Sequence, residues 1–500
     1  MKLNDLLKNI NPKEVFGNTD IEINNIQFDS RKVERGDVFV ATRGTASDGH
    51  NFINSAIEKG ATAIVCEETD RHCASCPQSP VFILVENSSQ ALGIMACNFY
   101  GNPSEKLILT GVTGTNGKTT TATLLYKIFQ KLGFKVGLIS TVCNYIDDRP
   151  VPTDYTTPNP LEINNLFAQM VAAGCQYAFM EVSSHAIDQR RIAGLRFRGA
   201  IFSNITRDHI DYHKTFENYI KAKKRFFDDL PADAFALTNI DDKNGLVMLQ
   251  NTKAEKFTYS LQTMANFRTQ ILEHDFNGML LAIDTSIKTQ DTRQSEIYTN
   301  FVGRFNAYNL TAIFGAAVLL IKNEKLGIKN EEILRILSTL HSVSGRFEPI
   351  RAPQGFTAII DYAHTPDALN NVISTINDIL QNTEGHLITV VGCGGERDQG
   401  KRPMMAREAV NGSWKAILTS DNPRKEDPQE ILNEMLSGLD DEQKRNSLTI
   451  IDRRQAIKTA CSLAQRGDVV LIAGKGHENY QIFGETKHHF DDKEEVIKQF

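Results

Sequence analysis

No uninterrupted apolar run in this 500-residue chain reaches the length of a membrane span. The longest apolar run, Ala312 to Ile321, is about half of the ~20 residues a span needs and reads as a buried helix. The N-terminal Met-Lys-Leu-Asn-Asp-Leu-Leu-Lys has no apolar core or cleavage site of the kind a secretory signal carries. Eight cysteines are too few for a disulfide framework and fit a reducing cytoplasm. Cys73 and Cys76 form one CxxC, but no second ligand pair lies close behind it, so it reads as a surface loop. A net charge of −6 supplies no broad basic face, so neither nucleic acid nor membrane is expected as a partner.

What the chain does have is Gly111-Val-Thr-Gly114-Thr115-Asn116-Gly117-Lys118-Thr119-Thr120. The apolar Leu107-Ile108-Leu109 precedes it, and residues 122–129 follow with helical spacing. Strand, glycine-rich turn and helix in that order cradle phosphate with bare backbone N–H groups at a helix N-terminus. Lys118 is placed to reach the β- and γ-phosphates, and the Thr119 hydroxyl to sit on Mg²⁺. Val112 stands where the common P-loop has its first glycine, so the loop departs from the GTPase and kinase type.

Five hundred residues exceed one core, and about three domains are expected. Turn formers at 101–104 and 341–345 suggest boundaries that divide the chain into 1–103, 104–340 and 341–500. Strand candidates at 107–112, 135–141, 176–182, 199–205 and 234–239 alternate with helices, which predicts an α/β fold with a mostly parallel sheet. Residues near 255–300 read as strands of an insertion or edge. Strands at 356–361, 386–391, 414–419 and 468–473 predict a second doubly wound domain, whose ligands bind at strand carboxyl ends.

Polar clusters fall at those ends. Glu181 follows the strand Tyr177-Ala-Phe-Met180, where a carboxylate beside a phosphate loop holds Mg²⁺ or simply meets solvent. His209 is a candidate second ligand. Lys223, in a run with Lys221, Lys224 and Arg225, reads on its own as part of a solvated basic helix face. Asn306 and Asn309 carry amides able to read a purine edge, or serve as cap or turn residues. Asp361 is suited to ribose hydroxyls. With residues 392–398, 421–424 and 474–478 it makes four clusters at four strand ends, which should converge on one face and suit a zwitterionic substrate.

Taken together, Gly-Thr-Asn-Gly-Lys-Thr-Thr, the Glu181 strand, the Asn306/Asn309 pair, Asp361-Tyr-Ala-His-Thr-Pro-Asp and Gly474-Lys-Gly-His-Glu478 resemble the Mur ligase family, in family order and over essentially the whole chain. The resemblance implies a small α/β UDP-binding N-domain, a central ATPase domain and a C-terminal Rossmann-like domain. It implies that Lys223 is carbamylated to N6-carboxylysine and holds Mg²⁺. Ser30, Thr45, Ala46 and Ser47 would contact UDP, and Thr156, Thr157, Ser183, Gln189 and Arg191 the muramoyl dipeptide. Asn306, Asn309, Arg346 and Asp361 would face ATP. Asp421-Asn422-Pro423-Arg424 resembles the version that binds meso-diaminopimelate, with Arg397, Gly474 and Glu478 completing the pocket. An arginine fork fits the distal carboxylate that distinguishes diaminopimelate from lysine. The implied activity is ATP-dependent ligation of meso-diaminopimelate to a UDP-N-acetylmuramoyl dipeptide by a cytoplasmic monomer. The alternatives are an L-lysine-adding relative, a folylpolyglutamate-synthase-like ligase and a non-enzymatic nucleotide-binding regulator. Tyr155 stands where some relatives have Asn, and Glu396 where Asp is more familiar.

Overall fold

A computed structural model describes residues 1–44, 47–68, 80–287, 295–381 and 383–500. Thr45, Ala46, Cys73 and Cys76 lie outside the described residues.

Three large sheets follow one another along the described chain, with a two-stranded one, Tyr480–Phe483 and Thr486–His489, after them. The first has five strands, with Glu14–Phe16 antiparallel at one edge and Val81–Leu84, Ala63–Cys66, Val38–Val40 and Ile26–Gln27 parallel beside it. The second has eleven strands. Its parallel centre is Glu255–Ser260, Phe235–Asn239, Gly199–Phe202, Ile108–Thr113, Tyr177–Glu181 and Val136–Ile139. The segment near 255–300 continues this sheet, as its parallel strand Glu255–Ser260 and then as an edge turning antiparallel through Phe267–Asp275, Gly278–Thr285 and Ser295–Thr299. The third has six, with Thr357–Asp361, Val469–Ala473, Leu387–Cys393 and Lys415–Ser420 parallel and adjacent. The short edge strands Glu348–Arg351 and Ser447–Thr449 carry too little apolar periodicity to be read from the sequence.

Four of the central parallel strands, Phe235–Asn239, Gly199–Phe202, Tyr177–Glu181 and Val136–Ile139, are buried throughout, which is why they read as continuous apolar runs rather than alternating ones. The helix Arg304–Asn323 is the one described helix long and apolar enough to cross a membrane. It is a core helix: fifteen of its residues are buried, and each large one contributes roughly 1.5–3 kcal/mol relative to exposure. It packs on Lys118–Lys131 and on the strands behind the phosphate loop, so the core supports that loop directly.

Several helices begin on a side-chain cap followed by proline, as at Asn159-Pro160, Thr365-Pro366 and Asp427-Pro428. Each cap fixes where its helix starts, and the cap at Thr365 starts the helix that follows Asp361 from the sheet.

Candidate active site

The carboxyl ends of the second and third sheets line one cavity of about 700 Å³. Its floor on the second sheet is the phosphate loop. Gly117 has φ +86°, a conformation that favours glycine, and the helix begins at Lys118 immediately after it. A Cβ at Gly117 would lie 2.3 Å from Asn309 Oδ1, so Asn309 seals the outer side of the turn.

Two ammonium groups meet beneath this loop. Lys118 Nζ donates to the carbonyl oxygens of Gly114 and Thr115 at 2.9 and 2.8 Å. Lys223 Nζ donates to the same Gly114 oxygen at 2.8 Å and sits over the Tyr219 ring. Lys223 is therefore not on a solvated face: it is 1% exposed. Burial, and then the Lys118 charge, hold its amine well below the usual lysine range. Burial likewise lowers Lys118, with Glu181 and Asp208 opposing it.

Glu181 is fully buried, which overturns the solvent-facing reading. Its Oε1 accepts from Thr141 N at 2.7 Å, while Oε2 has no partner. A buried unpartnered carboxylate oxygen is costly unless a ligand satisfies it, and a cation fits this position. Among the described residues no group of three or more His, Cys, Asp or Glu forms a metal cluster. Thr119 Oγ1 accepts from Arg346 Nη2 at 3.2 Å. His209 packs edge-on to His185 with Nε2 3.3 Å from Asp208 Oδ2. Burial holds the His209 imidazole below its ordinary value despite that carboxylate.

Asn306 and Asn309 are neither cap nor turn residues. Gly303 caps their helix, and both amides are buried in its first turns. Asn306 Nδ2 donates to Val302 O at 2.8 Å, and Asn309 Nδ2 to Asn306 Oδ1 at 3.3 Å. Thr156 and Ser183 line the cavity. Thr157, Gln189 and Arg191 stand behind them: Thr157 Oγ1 donates to Glu181 O, and Arg191 Nη1 to Thr157 O at 2.8 Å, with Gln189 accepting from Arg191.

The opposite wall comes from the third sheet. Arg346 lies 4.4 Å over the Tyr362 ring. Asp361 accepts from Phe347 N and Ala363 N at 2.6 and 2.7 Å, and burial pushes its carboxyl up to about 6 against the pull of Arg346. Gly474 N donates to Asp361 O, Gly395 N to Asn422 O, and Asn422 Nδ2 to Glu478 Oε2 at 2.8 Å. The four strand-end clusters thus do converge. Arg397, Asp421, Asn422, Arg424, Gly474 and Glu478 all line the cavity, whereas Pro423 turns away and packs its carbonyl on Gly395. Ser30 and Ser47 belong to the first sheet's unit and do not reach the cavity.

Three family models match in series: "Mur ligase family, catalytic domain" over residues 22–100, "Mur ligase middle domain" over 112–317 and "Mur ligase, glutamate ligase domain" over 345–476. A Bacteroides fragilis protein is 58% identical over 499 residues, covering 100% of this chain and 99% of its own. The chain belongs to the Mur ligase family. That relative is named UDP-N-acetylmuramoyl-L-alanyl-D-glutamate--2,6-diaminopimelate ligase, as is a Parabacteroides distasonis protein 59% identical over 501 residues, with 100% and 99% coverage. A solved structure of a ligase of the same name superposes with TM-score 0.67 at 31% identity, covering 100% of this chain and 98% of that one.

Within this Mur ligase cavity, some lining groups were not singled out as site residues from the sequence. Asp208, His364, Lys401 and Asp367 all line it. Asp367 Oδ2 accepts from Asn116 Nδ2 at 3.2 Å, a contact across 251 positions of chain. His364 and Asp367 lie within the Asp361-Tyr-Ala-His-Thr-Pro-Asp motif, and for Asp208 and Lys401 the clue is adjacency to a group already singled out.

Proposed function

We propose that this chain is an ATP-dependent amide ligase that joins meso-diaminopimelate to the D-glutamyl γ-carboxylate of UDP-N-acetylmuramoyl-L-alanyl-D-glutamate. The observation that carries this reading is the single cavity between the phosphate loop and the Asp421–Arg424 and Gly474–Glu478 loops. A nucleotide and a zwitterionic amino acid held on its two walls meet at one point.

In the proposed sequence the γ-carboxylate attacks the γ-phosphorus in line, and ADP leaves. The free amine of the amino acid then attacks the acyl carbon of the resulting acyl phosphate, the C–O bond breaks with its electron pair leaving on inorganic phosphate, and the nitrogen gives up one proton to leave the amide. No protein nucleophile is needed; the residues position reactants and offset charge. Lys118 and the loop N–H groups of residues 114–120 hold the β- and γ-phosphates. Asn306 and Asn309 read the base, and Arg346 and Asp361 hold the nucleotide from the other wall. Thr156, Thr157, Ser183, Gln189 and Arg191 form the dipeptide side, and Ser30 with the 45–47 segment the UDP side.

Thr119, Glu181, His209 and Lys223 are assigned to Mg²⁺, which when bound neutralises charge on the phosphoryl oxygens. An amine reacts with CO₂ only as the free base, losing one proton to give a carbamate. The suppressed basicity of Lys223 supports that modification. It would turn a buried amine into a further acidic ligand alongside Glu181 and His209. Arg424 and Arg397 take the distal carboxylate of diaminopimelate, and Glu478 its ammonium. An arginine left unpaired by lysine disfavours that rival. We assign the units 1–103, 104–340 and 341–500 to UDP, ATP and amino acid respectively, in a cytoplasmic monomer with small-molecule partners only.

Phosphate release from ATP in the presence of the UDP-linked dipeptide, with meso-diaminopimelate or L-lysine, tests the reading. Release with diaminopimelate alone is expected. Release with lysine alone overturns the pocket, and release with neither overturns the ligase.

A further inference from the structure

Beside the Arg424 loop lies a lysine that the chemistry above does not use. Lys475 is fully buried. Its Nζ donates to Asn422 Oδ1 and to Glu478 Oε2, each at 3.2 Å, and lies 5.5 Å from the centre of the Tyr480 ring. Asn422 Oδ1 also accepts from Ile482 N at 3.0 Å. Two donors on one end of the amide decide which end faces Glu478: Nδ2, which donates to Oε2 at 2.8 Å. Glu478 Oε2 is therefore saturated by Lys475 and Asn422. Oε1 is left with one long contact, the Tyr362 hydroxyl at 3.4 Å.

We propose that Lys475 is the positioning residue of the amino-acid pocket: by saturating Asn422 Oδ1 and Glu478 Oε2, it presents Glu478 Oε1, ionised, to the distal ammonium of the incoming amino acid. The inference rests on the ligase reading above. Its electrostatics are consistent with the geometry. The groups acting on Glu478 are Asp421, Lys475, Asn422, Tyr362, Tyr480 and Arg453. Burial and then Asp421 push the Glu478 carboxyl up, and Lys475 and Asn422 draw it down. Among the described residues Lys475 is the one cation in direct contact, so removing it leaves a carboxyl that protonates at higher pH and no longer attracts an ammonium.

Lys475→Met tests this, with the steady-state pH profile read for both substrates. The KM for diaminopimelate should rise at least about tenfold while that for ATP stays within about twofold. The acid limb of kcat/KM for diaminopimelate should move up by about one pH unit. In a Glu478→Gln background Lys475→Met should add no further change. An unmoved limb, or an equal KM rise in the Glu478→Gln background, overturns the assignment. If Lys475→Met fails to bind ADP, Lys475→Arg is read in its place. There a KM for diaminopimelate raised at least about fivefold with the acid limb kept supports it, and an unchanged KM overturns it. A wild-type protein inert with diaminopimelate defeats the ligase reading, whereas an active wild type with an unaltered Lys475→Met defeats this inference alone.

Discussion

Lys118 and Lys223, 105 positions apart in the chain (223 − 118), donate to one and the same acceptor, the carbonyl oxygen of Gly114. Two ammonium groups this close repel, and the deeper of them, Lys223, bears the larger loss of basicity. Lys223→Ala should therefore keep ADP binding within a few-fold, since Lys118 and the loop amides remain. Ligation should fall by at least about 100-fold, because charge stabilisation at the transferring group is lost. Calorimetry with ADP beside a phosphate-release assay separates the two; normal turnover would remove Lys223 from the site.

Gly117→Ala should strike the nucleotide without touching the amino-acid pocket. The positive φ costs about 1–2 kcal/mol for a residue with a Cβ, and that Cβ would collide with Asn309 Oδ1. ADP affinity should drop at least about tenfold with the circular dichroism spectrum unchanged. Wild-type affinity would show that the turn relaxes freely.

Arg424→Ala should raise the KM for diaminopimelate about 30- to 150-fold, the range expected for a charge-assisted pair of about 2–3 kcal/mol. The KM for ATP should hardly move. The arginine is positioned by backbone: its φ is +54°, its N–H donates to Ile482 O, and its Nη1 to Gly395 O at 2.6 Å. An unchanged KM for diaminopimelate would remove Arg424 from the pocket.

Acid should destabilise the fold before the ordinary carboxylate range is reached. Burial lowers His185 and His364 to about 4 and His477 to about 3. An unfolded chain takes up these protons near 6.5 and the native one does not, so stability falls as pH drops from about 6.5 towards 4. Asp361, raised to about 6, acts in the opposite sense between about 6 and 3.8, as do Asp229, Asp367 and Glu478, which burial also raises, but His209 and His213 are lowered too, so five histidines stand against four carboxyls. Urea midpoints from pH 7 to 4.5 check this; a flat profile would mean the histidines titrate normally.

The phosphate loop and the four strand-end clusters were legible because each is short, contiguous and bounded by a strand that reads as a continuous apolar run. Lys223 was not, because three neighbouring basic residues mask it. The signal lies in spacing instead: Tyr219, Lys223 and Phe226 recur at helical intervals on the buried face of Phe216–Asp228, while Lys221 points out to Glu217. Contacts such as Arg346 to Thr119, 227 positions apart, depend on how two sheets face each other. No local pattern encodes that. Ser183 was legible as a polar residue at a strand end, but its second task, capping the helix Ser184–Asp188, shows only in three dimensions.

The two walls of the cavity come from separate sheets, each with its own core. In the ligase proposed above, the loop that holds the phosphates and the loops that choose the building block then belong to different layers of the molecule, with Arg346 and Asp361 reaching across from the second to the nucleotide. Loops after Leu387–Cys393, Lys415–Ser420 and Val469–Ala473 can drift under selection for another amino acid while the phosphate turn stays untouched. Such a scaffold diversifies by exchanging one rim of a mouth, which predicts that grafting those three loops onto a relative would transfer its appetite and leave its engine as it was.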